Sequence, residues 1–128
     1  MATAYRVLVA NENPVQRGVL TKLLVSAGYE AVAASTFEQA RTALDEAPPD
    51  LLIAHLRLGA FNGLHLVLRG RLDGLGMSAI ITTGPEDHAL KSQVMDHGVL
   101  CVQTPLMTTN FLALVAKAIE RRGSPTWH

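Results

Sequence analysis

The stretch that decides the fold is 50–64, DLLIAHLRLGAFNGL. Its first half is a nearly continuous apolar run that ends on His55, and its second half is a loop that closes on Asn62-Gly63 before another apolar segment. A short run of this kind, flanked by turn residues, reads as a strand buried on both faces, as in a parallel sheet. In open α/β sheets the carboxyl ends of such strands are where ligands bind. His55 stands at such an end and is the first candidate site residue.

Four more apolar runs repeat the pattern: RVLVA (6–10), EAVAAS (30–35), SAIITT (78–83) and LCVQT (100–104). Segments of helical period separate them. In PVQRGVLTKLLVSAG (14–28), Val15, Val19, Leu20, Leu23 and Leu24 recur at helical spacing. Asn13 suits the N-cap of that helix, Pro14 its first turn, and Gly28 the position past its end. Ser35 and Glu38 have capping-box spacing for a second helix that stops before Pro48-Pro49. Further helices are expected over 63–72, 86–98 and 108–122, with Gly70 interrupting the third and Arg121 and Arg122 favourably placed at the end of the last.

Five strands alternating with five helices predict an α/β fold with a doubly wound, five-stranded parallel sheet in the order 2-1-3-4-5. The chain has 128 residues, enough for one domain, here placed at 1–122, with 123–128 a polar tail or the start of a linker. Apolar residues make up 48% and charged residues 17%, the balance of a globular protein. Eleven basic and eleven acidic residues cancel, which gives no electrostatic footprint for nucleic acid or an anionic membrane. Cys101 is the single cysteine, so there is no internal disulfide, and no apolar stretch is long enough to span a bilayer. The N-terminal run lacks a charged leader and reads as a strand. Together these features predict a cytoplasmic protein.

The strand ends bring together Asn11-Glu12-Asn13, His55, Thr82-Thr83 and Thr104-Pro105. Here the sequence resembles the receiver domains of two-component response regulators, over about residues 5 to 122. RVLVANENP, AGYEAVAAS, PDLLIAHLRLGAFNGL, SAIITTG and VQTPL carry the resemblance. It implies the CheY-like fold and a role in signal transduction, with five positions deciding the chemistry. The family's pair of acids falls on Asn11-Glu12, and its phosphate-accepting aspartate falls on His55. Its hydroxyl residue is kept as Thr83. Its lysine falls on Thr104, before the retained Pro105, and its aromatic switch residue falls on Cys101. Gly59 stands where the family usually has proline.

An imidazole cannot form an acyl phosphate. Mg²⁺ prefers an octahedron of oxygens, and Glu12 is the one acid left of three, so neither a metal nor another cofactor is expected. Without lysine, a positive donor to the phosphoryl group is also lost. The resemblance with these departures implies a receiver that is not phosphorylated on aspartate, is not an enzyme, and acts by protein–protein contact. Expected partners are an output domain, a kinase or another signalling protein.

The alternative is a ligand- or pH-sensing crevice around His55 and Glu12, in which the two could meet directly, because imidazole titrates near neutrality. A hydrogen-bonded histidine without a function fits the same residues. His65, His88, His97 and His128 show no ligand spacing with the crevice. A cobalamin site would need an aspartate where Ile53 stands. In the family the face made by the fourth helix, fifth strand and fifth helix carries dimerisation and output. Phe111, Leu112, Val115 and Ile119 give the last helix two apolar stripes, so a homodimer through this face is expected, with a broad core face as the plainer account.

Overall fold

The computed structural model describes residues 4–72, 76–84, 92, 94, 99–103 and 108–120. Five parallel strands form the main sheet: β1 (Arg6–Ala10), β2 (Glu30–Ala34), β3 (Leu51–His55), β6 (Ser78–Thr83) and β7 (Leu100–Gln103). Their spatial order is β2-β1-β3-β6-β7, as expected for the doubly wound sheet. Two short strands, β4 (Arg57–Leu58) and β5 (Phe61–Asn62), pair antiparallel in a small hairpin directly after β3. Four helices are described: α1 (Pro14–Ser26), α2 (Phe37–Glu46), α3 (Leu64–Leu72) and α4 (Thr108–Glu120). The last is the fifth helix expected from the sequence. The expected helix over 86–98 lies outside the described residues except at positions 92 and 94.

Alternation along the strands divides the core into two layers. Leu8, Leu52 and Ile81 face one side, where Leu44 of α2 and Leu66 and Val67 of α3 cover them. Val7, Val9, Leu51, Ile53 and Ile80 face the other, under Leu20 and Leu24 of α1 and Phe111, Val115 and Ile119 of α4. Every residue of β3 before His55 is buried. This explains the near-continuous apolar reading of that strand, since both its faces lie under helices.

The helix starts follow local chemistry. Asn13 Oδ1 accepts hydrogen bonds from the Val15 and Gln16 amides at 2.9 and 3.0 Å, with Pro14 in the first turn. Gly28, at φ 94°, reverses the chain after α1. The cap of α2 lies one residue later than the Ser35–Glu38 spacing suggested. Thr36 Oγ1 accepts from the Gln39 amide at 3.1 Å, while Gln39 Oε1 accepts from the Ser35 amide at 2.9 Å. The Thr36-x-x-Gln39 pair is a variant of the capping box in which the Gln39 side chain takes the amide before the cap.

The broad core face weighed for the last helix accounts for much of the apolar character of α4. Phe111, Val115 and Ile119 are buried and Leu112 is half-buried, all within the layer built on Val9, Ile53 and Ile80. The helix lies across β3 and β6 and touches α1, so the sheet and the neighbouring helix together cover both apolar stripes. Its outer side carries Asn110, Ala113, Ala116, Lys117 and Glu120. Phe111, Val115 and Ile119 therefore belong to the core, while half-buried Leu112 and Leu114 and the outer set are accessible to a contact.

Candidate functional site

The parallel register sets His55 beside Thr82, and Thr82 beside Val102. Residues in register point to the same face, and the His55 ring meets the threonine side chain. His55 Nδ1 lies 2.9 Å from Thr82 Oγ1. Thr82 is buried and His55 is half-buried, so the bond is partly shielded from solvent near the carboxyl ends of β3 and β6. The next residue continues the pairing, with the Leu56 amide donating to the Thr82 carbonyl at 2.8 Å. Thr83, the hydroxyl singled out from the sequence, is also buried, but it alternates to the opposite face of β6. Thr82 is the hydroxyl that engages His55, and strand register was the signal that identifies it.

The corner after β1 is braced from within. Asn11 is buried; its Oδ1 accepts from the Asn13 amide at 2.9 Å and its Nδ2 donates to Gln16 Oε1 at 3.1 Å. The Arg17 guanidinium donates to the Asn11 carbonyl at 2.9 Å. This fixes a positive charge on the peptide that leads into Glu12, a contact that no motif in the sequence announced.

Glu12 reaches across to the hairpin. Its Oε2 accepts from the Gly59 amide at 3.0 Å, joining residues 47 apart in the chain. Glu12 and His55 thus each have a partner elsewhere, Glu12 the Gly59 amide and His55 the Thr82 hydroxyl. The hairpin between them is tight. The Gly63 amide donates to the Leu56 carbonyl at 2.8 Å, and a Cβ on Gly63 would stand 2.6 Å from the His55 carbonyl oxygen. Only glycine lets the chain pass this close to the end of β3. On the outer side, Phe61 stacks on Phe37 with ring centroids 4.6 Å apart.

Cys101 is half-buried on β7, next to Ile81 in register, and packs against the layer that includes Leu8 and Leu52. Thr104 and Pro105 lie outside the described residues, as do His88, His97 and His128. Among the described residues no three His, Cys, Asp or Glu side chains converge on a point that could hold a cation. Within the same set, no helix is long and apolar enough to cross a membrane.

A parallel sheet in this order, with its polar residues gathered at the ends of β1, β3 and β6, defines a class that comparison makes specific. The family model described as "Response regulator receiver domain" matches residues 7–104. The chain belongs to this family, the receiver domains of two-component response regulators. It is similar to the transcriptional regulatory protein KdpE of Mycobacterium tuberculosis, with 33% identity over 90% of this chain and 51% of KdpE. It is similar also to the virulence transcriptional regulatory protein PhoP of Salmonella typhimurium, with 31% identity over 93% of this chain and 53% of PhoP. The chain thus spans about half the length of these regulators. Among solved structures, a response regulator receiver protein from Pseudomonas putida superposes with a TM-score of 0.81 at 32% identity, covering 91% of this chain and 99% of that one. A CheY-like receiver domain protein from Methanospirillum hungatei gives a TM-score of 0.86 at 16% identity, over 94% of this chain and 97% of that one. That second likeness speaks for the fold alone.

Proposed function

We propose that this chain is a receiver domain that signals without phosphorylation on aspartate, through contact with a protein partner such as an output domain or a kinase. The observation that carries the reading is the state of the strand-end crevice. The residue at the end of β3 is an imidazole bonded to Thr82, and the nearby carboxylate, Glu12, is hydrogen-bonded to a backbone amide.

The same observation tests the divalent cation that the family implies. Mg²⁺ takes near-octahedral oxygen ligands and holds them tightly. At this corner Asn11 Oδ1 already accepts the Asn13 amide, His55 offers nitrogen, and Glu12 is the one carboxylate. Arg17 adds a positive charge at the Asn11 carbonyl. The donor set does not fit Mg²⁺. With Thr104 in the place of lysine, no cation of the family's kind balances charge on a transferring phosphoryl group either.

Contact with a partner is supported by the distribution of exposed apolar side chains. Val15, Val19 and Val25 on α1 are 73%, 51% and 60% exposed, whereas Phe111, Val115 and Ile119 of α4 are buried. A homodimer remains part of the proposal through the outer side of α4. The pH-sensing reading is weaker on one specific ground. A threonine hydroxyl both donates and accepts, so the His55–Thr82 bond persists whether or not the ring is protonated.

The test is incubation with a small-molecule phosphodonor and Mg²⁺, read by intact mass. No phosphoryl adduct should form. An adduct labile to hydroxylamine, the mark of an acyl phosphate, would overturn the proposal.

A further inference from the structure

We infer that Gly59 is the residue that reserves Glu12 for the protein's own backbone, latching the corner after β1 to the hairpin beneath His55 so that the crevice keeps one form without a cation. The inference rests on the reading above and names how that site is held.

Two properties of Gly59 make the bond. Its amide points at Glu12 Oε2 from 3.0 Å, and its φ is +60°. The space around it is open: a Cβ built there would meet nothing within 4 Å. Glycine is therefore favoured at 59 for its backbone conformation and not for room, the reverse of Gly63. Proline supplies neither property, since its ring fixes φ near −65° and it carries no N–H. A proline at this turn would leave Glu12 without its partner and free to face the crevice. Asparagine, by contrast, is among the few residues that adopt positive φ with modest strain, and it keeps the amide.

The rest of the hairpin is anchored independently of the latch. Leu58 is buried in the core, Phe61 stacks on Phe37, and Gly63 is pressed against the end of β3. Breaking the Glu12–Gly59 bond should thus release the carboxylate and the turn at Gly59 while leaving the hairpin in place. The consequence is a second layer of control over cation binding. Replacing the acceptor residues alone should restore it only in part, because one oxygen of the remaining family carboxylate is already engaged.

The experiment uses the full chain carrying N11D, H55D and T104K, with Gly, Asn or Pro at position 59, and measures Mg²⁺ binding by calorimetry. Releasing a charge-assisted hydrogen bond predicts that G59P binds Mg²⁺ at least about tenfold more tightly than the glycine form. G59N should match the glycine form. Equal affinity in all three overturns the inference. A second measurement covers the case in which G59P fails to fold. In the unmodified sequence, E12A should speed exchange of the Gly59 amide by about tenfold or more, with the Gly63 amide unchanged. Unchanged exchange at Gly59 overturns the latch. Labelling of the unmodified chain by a phosphodonor would instead defeat the functional reading and leave the exchange result standing, so the two failures are separable.

Discussion

His55 and Thr82 face each other across the β3–β6 pair, Nδ1 to Oγ1 at 2.9 Å, near the carboxyl ends where the family keeps its chemistry. The bond gives the histidine a structural partner of its own. Valine is close in shape to threonine and lacks the hydroxyl. Thr82→Val should therefore destabilise the domain by about 1–2 kcal/mol in urea denaturation, because a half-buried ring nitrogen loses its partner. It should also shift the His55 ring nitrogen resonances. A neutral result in both would mean that the bond contributes nothing.

Gly63 sits against the end of the same strand. Its missing Cβ would fall 2.6 Å from the His55 carbonyl and 2.9 Å from Ala54 Cβ. Backbone cannot retreat as a flexible side chain can. Gly63→Ala is expected to cost about 1–3 kcal/mol by overpacking and to perturb the amide resonances of His55 and Leu56. Gly59→Asn, four residues earlier and in open space, should stay close to wild type in the same melts.

Asn13 holds the first turn of α1, accepting from two amides that have no helical partner. Asn13→Ala should cost about 1 kcal/mol of stability, within the usual range for a lost N-cap. Asn13→Asp should retain most of it, since aspartate caps equally well.

The two sides of α4 should respond in opposite ways. Phe111 is buried among Val9, Ile53 and Ile80, so Phe111→Glu places a charge in the core and is expected to cost more than about 4 kcal/mol, a large fraction of a typical domain's stability. Ala113 faces outward, and Ala113→Glu should change stability by no more than about 0.5 kcal/mol. If copies associate through the outer side of α4, sedimentation will show that Ala113→Glu weakens the association at unchanged fold.

Much of this architecture was legible from periodicity. The five apolar runs mark the five strands of the main sheet to within a residue or so. Asn13, Pro14 and Gly28 mark the first helix, because capping and reversal depend on residues adjacent in sequence. What depended on distant pairing was not legible. The β4–β5 hairpin is only two residues on each side, too short for alternation to register, and its turn at Gly59 is held by a carboxylate 47 residues away. Thr82 and Thr83 look alike in sequence; only the β3–β6 register decides which one meets His55. The apolar breadth of α4 was legible, but which of its residues face α1 and the sheet depended on packing. The site residues Asn11, Glu12 and His55 were named from their strand-end positions, whereas the partners each of them takes came from the fold.

The central claim is that this receiver domain does not form an acyl phosphate, and that the loss runs deeper than one side chain. The most direct measurement places the unmodified chain and His55→Asp side by side with a phosphodonor and Mg²⁺ and follows intact mass over time. No phosphoryl adduct should form on either, since Asn11, Thr104 and the engaged Glu12 remain in the variant. A phosphoryl adduct on the unmodified chain, or stoichiometric hydroxylamine-labile phosphorylation of the single variant, would contradict it.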